Sequence, residues 1–105
     1  MKGLKATMET TTLSDDRTLE LRQQGKSFAA IAKVLGYERP RDAWLAFNRA
    51  LRRHAPKEQA NLRREEMARL QTLTDAVQAR KDLTPEEQTR RLQSVERMRV
   101  RLLTR

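Results

Sequence analysis

Arg39, Arg41, Arg49, Arg52 and Arg53 crowd into one short stretch, interleaved with Asp42, Leu45 and Asn48. A guanidinium donates through a rigid planar fork that matches a phosphate or the major-groove edge of guanine. An asparagine amide matches adenine, and a carboxylate can accept from a cytosine amine. The chemistry these residue types offer is recognition of a polyanion. Each has a plainer role beside it. A single arginine more often meets a phosphate or water than a base, Asp42 can cap a helix, and Asn48 can simply be solvated. Lys26 and Lys33, a little upstream, are candidates for flanking phosphates.

Bond-making chemistry finds no comparable set. Cysteine is absent and His54 is the only histidine, so no metal site and no cofactor is expected. There is no phosphate-cradling glycine loop, no nucleophile paired with a base and no ATP motif, which argues against an enzyme. His54 sits where a helix C-terminus would favour its cationic form. The formal net charge is +9 over 105 residues. By count it divides as +1 over 1–13, +4 over 14–55 and +4 over 56–105. A balance of this sign and size favours an acidic polymer as partner. No apolar run is long enough to span a bilayer and no signal peptide is legible, so a cytoplasmic location is expected.

The elements that must position the arginines can be read from caps and periodicity. Residues 1–13 are threonine-rich, carry Lys2 and Lys5, and read as a flexible arm, for which simple disorder is favoured over following a DNA backbone. Ser14 reads as an N-cap, with Asp15 and Asp16 in the first turn of a helix to about Gln24, closed by Gly25. Ser27 caps a second helix, Phe28 to Leu35, with Phe28, Ile31, Ala32 and Leu35 inward and Gly36 closing it. Pro40 suits the first turn of a third helix running to Arg53. Ala43, Ala46, Phe47, Ala50 and Leu51 recur at spacings of three and four and give it an inward stripe. Trp44 borders that stripe and reads either as peripheral core or as a contact anchor. All four aromatic residues fall in this region.

Pro56 breaks the chain. From Lys57 to Arg80 a heptad-like seam follows Ala60, Met67, Leu70, Thr74 and Val77, widened by Leu62 and Leu73. After a turn at 81–83, Thr84-Pro85-Glu86-Glu87 is a capping box with proline at the first position. The last helix carries a stripe of Leu92, Val95, Met98 and Leu102, with Val100 and Leu103 beside it. The fold class expected is all-α: a trihelical helix-turn-helix unit over 14–55, then a two-helix antiparallel hairpin over 56–105. Two aliphatic helices bury little when paired alone. Either the hairpin packs back on the first unit or it self-associates, and self-association is the favoured expectation, through Met67, Leu70, Leu73, Val77, Leu92, Val95, Met98 and Leu102.

The run LELRQQGKSFAAIAKVLGYERPRDAWLAFNRALRR resembles the N-terminal helix-turn-helix of phage small terminase subunits. The residues that carry the likeness are Gly25 to Phe28, Ile31-Ala32, Leu35-Gly36-Tyr37, Pro40 and Arg49-Ala50-Leu51, and it extends more weakly over 63–103. Sigma-factor and resolvase-type units share much of the first half. The turn is one residue longer than in the commonest form, with Gly36 seven residues before Ala43. The resemblance implies recognition of viral double-stranded DNA at a packaging start, in a host bacterial cell, by a ring of copies. Such a ring would link weak contacts into tight binding and would present the genome to an ATP-driven large subunit. Many small terminases engage that subunit through a further C-terminal segment, which has no counterpart before Arg105. Two other readings stand beside this one. A helix-turn-helix transcriptional regulator of repressor or excisionase type would bind an operator as a dimer, and an interaction module would bind a protein through the hairpin.

Overall fold

A computed structural model describes residues 2–104, with the side chains of 11–104. Every regular element among them is a helix: α1 (Lys2–Gln23), α2 (Phe28–Leu35), α3 (Pro40–Arg52), α4 (Pro56–Ala79) and α5 (Pro85–Leu103). They form two compact units, Met1–Ala55 and Pro56–Arg105.

The first unit departs from expectation at its start. α1 begins at Lys2, so the stretch read as an arm is helical backbone and Ser14 is no N-cap. The Ser14 carbonyl accepts from Thr18 Oγ1 at 2.8 Å, a one-turn bond within the helix. Asp15, read as a first-turn dipole partner, is fully buried. The side chains of Lys2 and Lys5 lie outside the described residues.

α2 follows the sequence closely. Ser27 Oγ accepts from the Ala30 N–H at 3.1 Å, satisfying one of the helix's unpaired donors. At the other end Gly36 adopts φ 78°, and the Ala32 carbonyl accepts from the N–H groups of Gly36 and Tyr37. This left-handed closure turns the chain toward α3. Nothing lies within 4 Å of a Cβ built at Gly36, so Gly36→Ala meets backbone strain and no clash. A loss of about 1–2 kcal/mol in folding free energy is expected by urea denaturation.

Pro40 opens α3, and the Asp42 carboxylate accepts from the Arg39 backbone N–H at 3.2 Å. The reciprocal half of a capping box is missing, because an arginine N-cap has no side-chain acceptor. Leu19 and Leu21 of α1, Phe28, Ile31 and Ala32 of α2, and Ala43, Ala46, Phe47, Ala50 and Leu51 of α3 make up the core. Phe28 and Phe47 meet edge to face at 5.7 Å, a favoured aromatic geometry. Leu35, expected inward, is half-buried. Tyr37 Oη lies 3.1 Å from Thr18 Oγ1 and ties the α2–α3 turn to α1.

In the second unit α4 and α5 run antiparallel. Arg63, near the start of α4, donates from Nε to the Leu102 carbonyl at the end of α5 at 3.0 Å. Arg99 Nη2 reaches Gln71 Oε1 at 2.8 Å further along α4. The capping box at the start of α5 is complete, with Glu87 N–H donating to Thr84 Oγ1 at 3.1 Å and Thr84 N–H to Glu87 Oε2 at 3.4 Å. In the connection Arg80 Nε donates to Asp82 Oδ1 at 3.0 Å and holds that carboxyl below its ordinary range. An NMR titration of Asp82 should show a midpoint lower than that of an unpaired aspartate, and Arg80→Ala should raise it.

Candidate nucleic-acid interface

The first turn of α3 presents two solvated guanidiniums. Arg39, the N-cap, has a side chain 70% exposed, its nearest charge being Asp42 at 3.8 Å. Arg41 is exposed and lies 5.8 Å from the centre of the Trp44 ring, a weak cation–π contact. Both flank a helix N-terminus, where the backbone dipole also favours an anion. Lys33, in the last turn of α2, and Lys26, in the α1–α2 connection, are likewise exposed. These four cations can meet phosphates without undoing any core contact. Asp42 is occupied as the capping acceptor, the plainer of its two roles.

The C-terminal half of α3 differs from expectation. Arg49 donates from Nε and Nη2 to the two Asp15 oxygens, each at 2.9 Å. Arg53 donates from Nη1 and Nη2 to Asp15 Oδ2 at 3.2 and 3.0 Å. The two arginines therefore clasp α1 to α3 and are not the open backbone contacts the sequence suggested. Asp15 raises the Arg49 pKa further above its ordinary value, chiefly through the hydrogen bond. Asn48 is buried at 3% exposure and donates from Nδ2 to the Trp44 carbonyl at 2.9 Å. It presents no amide to a base edge. Leu45 and Arg52 are half-buried, and so is Trp44, whose ring is neither enclosed core nor fully open anchor.

The residues assigned to assembly also divide. Leu70, Val77, Val95 and Leu102 are buried within the single chain, so they serve its own packing. Met67, Leu92 and Met98 are half-buried. Leu73 is exposed, and so are Val100 and Leu103, which the sequence placed beside the stripe.

Several residues that organise these surfaces escaped the sequence reading. Asp15 is the chief one. Its signal was present: Asp15, Thr18, Leu19 and Arg22 recur at i, i+3, i+4 and i+7, a buried stripe in which three members are polar. Arg22 is 8% exposed, lies 4.1 Å from the centre of the Phe28 ring and donates to the Lys26 carbonyl at 3.1 Å. In α4 Glu66 is buried and accepts from Arg69 Nε at 2.7 Å. Among the described residues no group of His, Cys, Asp and Glu could hold a metal ion, and no helix is long and apolar enough to cross a membrane. Comparison with protein-family models, with curated proteins and with solved structures finds no match.

Proposed function

We propose that this chain binds double-stranded DNA through its first unit, used as a helix-turn-helix with the first turn of α3 leading. In the finer reading it is a self-associating subunit of phage small-terminase type that recognises viral DNA for packaging. The observation that carries the DNA reading is the division among the arginines. Arg49 and Arg53 are held by the buried Asp15, whereas Arg39 and Arg41 stand exposed at the start of the helix. The N-terminal end of such a helix is the part that reaches base edges and phosphates. Exposed Leu73, Val100 and Leu103 on the second unit support self-association.

Two measurements test the two parts. Affinity for duplex DNA should fall steeply with salt as phosphate contacts release counterions, and Arg39→Ala with Arg41→Ala should flatten the log–log slope by about 1.8. A salt-independent affinity overturns the DNA reading. The native mass of the full chain tests the rest. A closed assembly of many copies supports the packaging subunit, a dimer moves the assignment to an operator-binding regulator, and a monomer removes the ring.

A further inference from the structure

We infer that α5 carries a second, sequence-independent contact surface for double-stranded nucleic acid, on the unit that the first proposal leaves to assembly. Arg90, Arg97 and Arg101 stand at i, i+7 and i+11 and are all exposed. At 3.6 residues per turn their Cα positions span an arc of only about 40°, over roughly 16 Å of helix. Val95 and Leu102, the buried residues of α5, lie about 120–140° around the helix from the row. The row therefore points away from the packed seam.

The positions between the arginines on that face are Gln93 and Ser94, both exposed and neutral. Each can donate to a phosphate oxygen without adding charge. Acidic residues stay off the row between Arg90 and Arg101. Glu96 lies on another face, 3.8 Å from Arg99, while Glu86 and Glu87 precede the row in the first turn of α5, one turn before Arg90. Exposed arginines along one helix face, with only neutral residues between them on that face, suit a chain of phosphates. It also distinguishes duplex from single strand. Single-strand grooves rely on aromatic side chains for base stacking, and all four aromatic residues of this chain lie between Phe28 and Phe47. The row can grip a backbone and carries no aromatic side chain on which a base could stack.

The surface goes beyond the α3 reading and does not depend on it. The test uses the full chain, a duplex of random sequence, and three variants checked by circular dichroism for unchanged helicity. On raising salt from about 50 to about 200 mM, wild-type affinity should fall about tenfold more than that of Arg90→Gln with Arg97→Gln, a slope difference of about 1.8. Lys57→Gln with Lys81→Gln removes the same charge off the row and should leave the slope within about 0.5 of wild type. Equal slopes for these two double variants overturn the proposal, because the effect would then be bulk charge. Loss of binding to vesicles containing anionic lipid, with duplex binding intact, would also overturn it in favour of a membrane surface. Arg39→Gln with Arg41→Gln separates the two readings. If that variant binds like wild type while the α5 variant is weakened, the α5 surface stands and the α3 reading falls. The reverse outcome spares only α3.

Discussion

Phe47→Ala is expected to cost about 3–5 kcal/mol of folding free energy. Phe47 is 1% exposed, sits in the middle of α3 and meets the edge of Phe28 from α2. The neighbours that would have to collapse into the space are poorly suited to it. Ala43, Ala46 and Ala50 on the same helix face are already minimal, so the lost volume stays largely as a cavity. A unit of this size buries a modest core and is marginal to begin with. Most of its stability should go with one ring. Trp44 is the only tryptophan and belongs to the same unit, so its fluorescence in a urea titration reads this loss directly. Phe47→Leu, which retains most of the volume, should cost clearly less. Equal losses for the two variants would show that the site is not packed as described.

Asp15→Asn is expected to cost about 2–3 kcal/mol. The carboxylate is fully buried and accepts four N–H bonds from two guanidiniums. An amide in its place keeps one acceptor oxygen and turns an NH2 group toward donors. The loss is smaller than for an ion pair buried on both sides, because the Arg49 and Arg53 side chains are 48% and 41% exposed and regain water. A double-mutant cycle with Arg49→Gln checks the assignment, with a coupling of about 1 kcal/mol or more expected and additivity excluding the clasp. The Arg49 pKa is raised in the folded state. Its stabilising contribution is therefore complete at neutral pH and disappears only as the pH climbs through the guanidinium's own range.

Local signals gave what local physics determines. Ser27, Gly36, Pro40 and the Thr84–Glu87 box each act within one turn of themselves, and the helices they bound fall within a residue or so of expectation. The alanine and phenylalanine spacing of α3 likewise announced its buried face. What escaped depended on partners distant in sequence. Asp15 resembles a first-turn acid until Arg49 and Arg53 arrive 34 and 38 residues later, and only that meeting explains a charge inside α1. The same clasp ties two arginines of the expected DNA face to Asp15, with their side chains still 48% and 41% exposed. Asn48 was lost to a bond with its own helix one turn back. The aliphatic stripes of α4 and α5 were legible as stripes, but periodicity alone does not tell residues that pack within one chain from residues that await another copy.

The alanine-rich face of α3 gives the Asp15 clasp a second meaning. Beside Phe47 and Leu51, Ala43, Ala46 and Ala50 form a smooth strip, and smooth strips tolerate sliding. A neighbouring helix displaced by one turn would still find methyl groups to cover. What it would not find is a carboxylate opposite two guanidiniums. A slipped arrangement would leave a negative charge in apolar surroundings, a penalty far larger than any difference in methyl contacts. The ion cluster thus acts as a register pin. Close packing draws α1 and α3 together, the charges choose a single alignment among near-equivalent ones, and the first turn of α3 is thereby aimed in one direction.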